Sequence, residues 1–397
     1  MLFSILKNLK FKGKLDIIDF KGNKHSYGKL DTYNQYLKIR FTSKYIQRKL
    51  YLNPSLYFGE GYMNGDIVIE EGTIEDLINL VTANYNNFIA HNFVFRTYEK
   101  LSTFFKPFHQ INRLIQSKKN VRHHYDLNED LYRLFLDKDL QYSSAYYHNQ
   151  NIELEQAQLD KKQHIINKLN IKEGMRVLDI GCGWGGLACQ IAKTTGAHVK
   201  GITLSENQYS TAKKRAQEEG LNEKVQFALQ DYRNEKNQYD RIVSVGMFEH
   251  VGIKYYPVFF SKTYELLKDT GIFLLHTIGR TGIPAATSPW IRKYIFPGGY
   301  IPSISEITKV CEKFNINITD IEIWRLHYAY TLTHWYKNTM RHKDEIIKIY
   351  DEKFLRMWEF YLLVSKYSFI NMGNVVFQIQ IAKNINNLPI TRNYIYN

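Results

Sequence analysis

The side chains best suited to chemistry begin in one run, Val177-Leu178-Asp179-Ile180-Gly181-Cys182-Gly183-Trp184-Gly185-Gly186. Val177 to Ile180 reads as a buried parallel strand, the glycines as a tight turn, and Leu187 to Lys193 as the start of a helix. Residues without Cβ at a helix start let a ligand lie directly on main-chain N–H groups, so the run is a nucleotide-type cradle. It is not a dinucleotide cradle, which needs G-x-G-x-x-G and an acidic residue about 20 positions further on for the ribose. Here the glycines fall at 181, 183, 185 and 186, with Asp179 ahead of them, and the strand His198 to Leu204 is followed by Glu206 alone. Further along, Glu249 lies just past a strand read over Arg241 to Val245, where open α/β sheets bind ligands. His276 ends an apolar strand and by itself has the pattern of a core histidine, and Tyr328 is one of 30 tyrosines.

The elements that must position these residues alternate between strand and helix. Strands are expected over Val177 to Ile180, His198 to Leu204, Val225 to Leu229, Arg241 to Val245 and Gly271 to His276, with helices over Gly186 to Thr194, Glu206 to Glu219 and near Tyr256 to Leu267. Repeated βα units with apolar strands imply a parallel sheet covered on both faces. Two later runs, Ile316 to Trp324 and Asn374 to Ile381, alternate with period two and suit antiparallel edge strands. Ahead of the sheet, residues 11–42 read as a small β-rich unit. Ser43 to Leu50 and Thr73 to Tyr85 read as helices, the second opened by Thr73 and Asp76 as a capping box. Residues 86–121 are aromatic and basic, with Tyr98, Leu101, Phe105 and Phe108 at helical spacing and Pro107 starting or kinking a helix. The expected domains are residues 1–85, a linker over 86–121, and a catalytic domain over 122–397.

The chain of 397 residues is 44% hydrophobic, enough for a core. Cys182, Cys189 and Cys311 form no C-x-x-C pair, so neither a disulfide framework nor a zinc site is implied. No export signal or membrane span is evident, and the expected compartment is the cytoplasm. The net charge of +14 invites an anionic partner, either nucleic acid or a bilayer surface. Residues 1–50 hold twelve Lys and Arg against three Asp, whereas residues 51–90 hold six acids and no Lys or Arg.

A strand ending in D-x-G-x-G-x-G resembles the opening of class I S-adenosylmethionine methyltransferases. Several further motifs, in order, resemble the cyclopropane-fatty-acyl-phospholipid synthases and the related mycolic acid cyclopropane synthases. They are His124-Tyr125-Asp126-Leu127, Tyr142-Ser143-Ser144-Ala145-Tyr146, Gly201-Ile202-Thr203-Leu204-Ser205-Glu206-Asn207-Gln208, Phe248-Glu249-His250-Val251-Gly252, Leu275-His276-Thr277-Ile278, Tyr294 to Ser303 and His327-Tyr328-Ala329. The resemblance covers about residues 122–385. It implies a Rossmann-like class I methyltransferase fold, an α/β structure with a mostly parallel seven-stranded sheet and an antiparallel C-terminal strand, preceded by a small α+β N-terminal domain. It also implies transfer of a methylene group from S-adenosylmethionine to the cis double bond of an unsaturated phospholipid acyl chain, at the inner face of the cytoplasmic membrane. A second copy of the chain is a further candidate partner.

The same resemblance assigns roles. Glu249, His276 and Tyr328, with main-chain groups around Ser144 and Ile278, would hold a bicarbonate that serves as base. Gly181, Gly183 and Gly185 would meet the amino-acid end of the cofactor, Thr203 and Gln208 the ribose, Asp231 and Tyr232 the adenine. Tyr142 and Ser143 would close over it, and Asp179 would order the turn. Phe296 to Tyr300 with Trp290 would line an acyl channel or form a core turn. Ser144 and Ser365 stand where some relatives carry cysteine, which argues against an essential thiol. Three alternatives stay open: a sibling that leaves a methyl branch, an RNA methyltransferase suggested by charge but lacking an N-P-P-Y motif, and a non-catalytic lipid-binding protein.

Overall fold

Apolar strands separated by helices build the larger part of the chain, which the computed structural model describes over residues 2–7, 9, 11–30, 36–91, 93, 97 and 129–396. Pro107 and the stripe of Tyr98, Leu101, Phe105 and Phe108 lie outside the described residues, as does the motif starting at His124. Two compact units form. One gathers residues 1–106, 285–296 and 332–373, and the other residues 107–284, 297–331 and 374–397. Two segments expected in the catalytic domain, 285–296 and 332–373, thus pack with the N-terminal residues.

In the first unit, β1 (Lys14–Ile18), β2 (Lys24–Gly28), β3 (Tyr36–Phe41) and β4 (Ile67–Glu71) form a sheet in the order β2-β1-β3-β4. The helix Ile74–Ala83 starts on a complete capping box between Thr73 and Asp76. The helix Pro54–Met63, absent from the sequence reading, carries Gly59 against Trp290, where a Cβ would lie 2.4 Å from the indole nitrogen. Trp290 is buried there, edge-on to Phe360 at 4.7 Å, so it is a core residue of this unit.

In the second unit, β5 (Arg176–Ile180), β6 (His198–Thr203), β7 (Val225–Leu229), β8 (Tyr239–Val245), β9 (Leu267–Arg280), β10 (Asn317–Trp324) and β11 (Asn374–Ala382) form one sheet in the order β10-β11-β9-β8-β5-β6-β7. Pairings from β9 through β8, β5 and β6 to β7 are parallel, and β11 is antiparallel to both β9 and β10. One expectation is corrected here: β11 is not an edge strand but lies between β9 and β10. Its polar residues Gln378 and Gln380 are fully buried, which is tolerable because they hydrogen-bond His276 Nδ1 (3.1 Å) and the carbonyl of Lys168 (2.6 Å). Val177, Leu178, Ile242, Val243 and Leu274 fill the two faces of the sheet. Each such side chain contributes about 1.5–3 kcal/mol on burial. The strand order reverses between β5 and β8, so the crevice beyond their carboxyl ends is where this fold binds ligands.

Candidate active site

At that crevice β5 runs into the glycine turn. The N–H groups of Gly181 and Cys182 donate to the Ile202 carbonyl (2.9 and 3.1 Å), tying the turn to β6. Gly183 has φ +54° and lines a cavity. A Cβ built there meets nothing within 4 Å, so the space in front of it is left for a ligand. Gly185 does not line the cavity. It caps the helix Gly186–Thr195 at φ +82°, and a Cβ would lie 2.6 Å from the Phe227 ring and 2.9 Å from Ala212. Its requirement for glycine is packing.

Of the other residues expected at the cofactor, Tyr142, Ser143, Asp179, Gly181, Thr203, Gln208, Asp231 and Tyr232 line the cavity. Thr203 Oγ1 donates to Gln208 Oε1 (2.9 Å), so the two hold each other. Both Asp231 oxygens are held by the Arg233 guanidinium (2.8 and 2.6 Å). The Tyr142 ring stands edge-on to Tyr132 at 5.4 Å, and Tyr132 packs on Trp184 at 4.9 Å. Asp179 is buried with Oδ2 unpartnered; burial pushes its pKa up to about 7 against the pull of Lys161. A buried carboxyl with a free oxygen and a glycine that leaves its Cβ space empty fit a donor that carries positive charge.

The residues expected to hold the base lie off this cavity on neighbouring elements. Strand β8 turns away at Gly246, whose N–H still donates to the His276 carbonyl (2.9 Å). The next inward N–H on β9, that of Ile278, is met by the Glu249 carboxyl at 2.6 Å. Glu249 sits on the short helical turn Phe248–His250 and its carbonyl accepts from the Tyr300 N–H (2.9 Å), so the buried Tyr300 braces it from behind. Glu249 Oε2 is buried without a partner. Burial raises its pKa to about 7, opposed by hydrogen bonds with the Ile278 and Glu249 N–H groups and the Thr277 side chain, so Glu249 holds its proton far above the usual carboxylate range. His276 and Ile278 alternate along β9 and face the same side of the sheet. His276 is 2% exposed, stands edge-on to Trp324 at 5.1 Å, and burial drives its pKa well below the ordinary value, so it is neutral. Trp324 in turn packs on His327 at 5.2 Å. The segment holding Ser144 is fastened to the first turn of the helix His327–Arg341: Ala145 N–H donates to Thr331 Oγ1 and Tyr147 N–H to His327 Nδ1, both at 3.0 Å. Ser144 and Tyr328 are both buried. The structure therefore joins the elements bearing all five residues.

Several residues at the site were not singled out from sequence. Met247, His250 and Tyr255 line the cavity, and burial lowers the His250 pKa to about 4. On the helix Leu154–Leu169, Gln158, Lys161, His164 and Lys168 point inward. No apolar period announces them, because each is buried with a polar partner. The three cysteines are buried, and burial raises their thiol pKa values, to about 12 for Cys189 and Cys311, so none supplies a thiolate.

A family model described as mycolic acid cyclopropane synthetase matches residues 112–379, and one for a domain of unknown function matches residues 2–92. The cyclopropane-fatty-acyl-phospholipid synthase of Escherichia coli strain K12 is 42% identical over 277 residues, 69% of this chain and 71% of that one. A probable fatty acid methyltransferase of Pseudomonas putida is 37% identical over 289 residues, 70% of this chain and 73% of that one. Among solved structures, mycolic acid cyclopropane synthase CmaA1 complexed with SAH and CTAB superposes with a TM-score of 0.63 at 32% identity, covering 66% of this chain and 97% of that one. The chain belongs to the mycolic acid cyclopropane synthetase family, and its larger unit has the class I S-adenosylmethionine-dependent methyltransferase fold.

Proposed function

We propose that this enzyme transfers a methylene group from S-adenosylmethionine to the cis double bond of an unsaturated phospholipid acyl chain, forming a cyclopropane ring. The methyl passes from the sulfonium to one alkene carbon, S-adenosylhomocysteine leaves, and positive charge remains on the neighbouring carbon. Loss of one proton from the new methyl closes the ring. An alkene is a weak nucleophile, so the protein's task is to align the methyl with the π bond and to exclude water. Gly181, Gly183, Thr203, Gln208, Asp231 and Tyr232 are read as the cradle that fixes the donor, with Tyr142 and Ser143 closing over it.

The observation that carries this reading is Glu249: buried, one oxygen on the Ile278 N–H, the other unpartnered. An ionised carboxylate would repel an anion, but a protonated Glu249 can donate from Oε2. Glu249, neutral His276 and Tyr328, with main-chain groups at Ser144 and Ile278, are therefore proposed to hold a bicarbonate, which when bound would supply the base. A protonated His276 is not needed for this. The twelve Lys and Arg of residues 1–50 favour an anionic membrane surface, with the N-terminal module as the lipid- or partner-facing part. Among the described residues no helix is long and apolar enough to cross a membrane.

The test is incubation with unsaturated phospholipid vesicles and methyl-labelled S-adenosylmethionine. Label is expected in ring-bearing acyl chains, and Glu249→Gln is expected to abolish product while S-adenosylhomocysteine still binds. Label in methyl-branched chains would favour the sibling reading. Label in tRNA, or full activity of Glu249→Gln, would overturn the proposal.

A further inference from the structure

The helix Leu154–Leu169 places an ammonium group where packing alone would call for an apolar side chain. Lys161 is 0% exposed, and Ala157 and Ile165, one turn away on either side, are buried apolar residues. Its Nζ donates to Gln141 Oε1 (2.6 Å) and Ser143 Oγ (2.9 Å). One turn earlier, Gln158 Nε2 donates to the carbonyls of Ser143 (3.0 Å) and Gln141 (3.3 Å). Gln141, Tyr142 and Ser143 line the donor cavity and belong to no strand or helix. Two side chains from a rigid helix thus grip both the backbone and the side chains of one wall of the cavity.

A buried charge costs several kcal/mol unless it is countered. The charged and titratable groups facing Lys161 are Asp137 and Asp139 from the preceding loop, Asp179 at the end of β5, His276 on β9, and Lys162 on its own helix. Of these, Asp179 lines the cavity and has the unpartnered oxygen. Burial lowers the Lys161 pKa and the acids raise it, so the ammonium persists only through them.

We propose that Lys161 is a positioning residue for the methyl donor: it fixes Gln141 and Ser143 as the cavity wall and supplies the counter-charge for Asp179, with Gln158 as the second leg of the clamp. The inference rests on reading this cavity as the S-adenosylmethionine site and not on which lipid product forms.

Lys161→Met keeps length and removes the charge. Loss of the charged hydrogen bonds predicts a rise of about ten-fold or more in KM for S-adenosylmethionine, with KM for phospholipid changed by less than about two-fold. The Kd of S-adenosylhomocysteine measured by calorimetry should rise in parallel. Gln158→Leu, which introduces no change of charge, should move the same constants in the same direction by a smaller factor. In the unaltered chain, S-adenosylhomocysteine should slow amide exchange at Gln141 to Ser143, a readout that needs no variant. An unchanged donor KM in either folded variant, an equal rise in both KM values, or exchange at 141–143 indifferent to S-adenosylhomocysteine would overturn the proposal. Because the binding readouts involve no lipid, they stand apart from failure of the cyclopropane reading.

Discussion

Replacing Glu249 by Gln removes a buried ionisable group whose environment opposes its charge. Burial lifts its pKa from 4.5 to about 7, and each unit of such a difference corresponds to about 1.36 kcal/mol, so ionising Glu249 in the folded chain costs roughly 3 kcal/mol more than in the unfolded one. The folded state binds the proton more tightly, so the fall in stability runs from pH 4.5 to pH 7: the contribution is intact below 4.5 and lost as pH rises through 7. The Gln variant has no such loss. Its amide oxygen can keep the Ile278 N–H, while its NH2 lacks a partner where Oε2 now lies, a constant penalty of about 1–3 kcal/mol. The stability of the variant minus that of the parent should therefore climb by roughly 3 kcal/mol between pH 4.5 and pH 8, whatever its starting offset. Urea unfolding of both proteins across that range, followed by tryptophan fluorescence, measures this difference. A flat difference across the range would refute a strained, proton-holding Glu249.

Other perturbations probe neighbouring parts of the site. Gly183→Ala, at φ +54° with open space before its Cβ, should cost about 1–2 kcal/mol of stability and weaken S-adenosylhomocysteine binding by about 1–3 kcal/mol, as calorimetry would show. Gly185→Ala should do the reverse, costing about 2–4 kcal/mol of stability through contact with Phe227 and Ala212 while the folded fraction binds S-adenosylhomocysteine normally. Glu322 is paired with Lys168 at 2.5 Å and His164 at 2.8 Å, which with its hydrogen bonds hold its pKa near 2 despite burial. Glu322→Gln should cost about 2–4 kcal/mol at neutral pH, because it leaves buried Lys168 with only the looser Asp320 pair at 3.7 Å. That cost should shrink as pH falls from 4.5 towards 2, where the parent loses the pair as well; unfolding at pH 7 and pH 3 compares the two.

The glycine turn and strands β5 to β8 were legible because apolar runs bounded by Gly and by helical periods admit one arrangement. Strand β11 was legible as an antiparallel strand, but its place inside the sheet was not, since Gln378 and Gln380 imitate the polar face of a half-exposed strand. Only the partners of those glutamines, His276 and the Lys168 carbonyl, show why they are inside. The helix Leu154–Leu169 was missed because Lys161, His164 and Lys168 interrupt its apolar period, yet acids from a loop and from β10 meet them in the interior. Hydrophobic period reports how a side chain stands to water and carries nothing about a polar group whose partner lies far along the chain. Glu249 was found by motif and position, but its protonation follows from burial and from the N–H that β8 leaves unpaired at Ile278. The helix Pro54–Met63 was missed because Gly59 and Gly61 weaken its pattern, although Gly59 is there to admit Trp290.

In the proposed reaction a methyl group arrives on an acyl chain and gives up one hydrogen as the ring closes. S-adenosylmethionine bearing a CD3 group, offered with unsaturated phospholipid vesicles, puts that to the test by mass spectrometry and proton resonance of the released fatty acids. Ring-bearing chains retaining two of the three deuterium atoms are the predicted result; chains carrying all three in a methyl branch, or none, would contradict it.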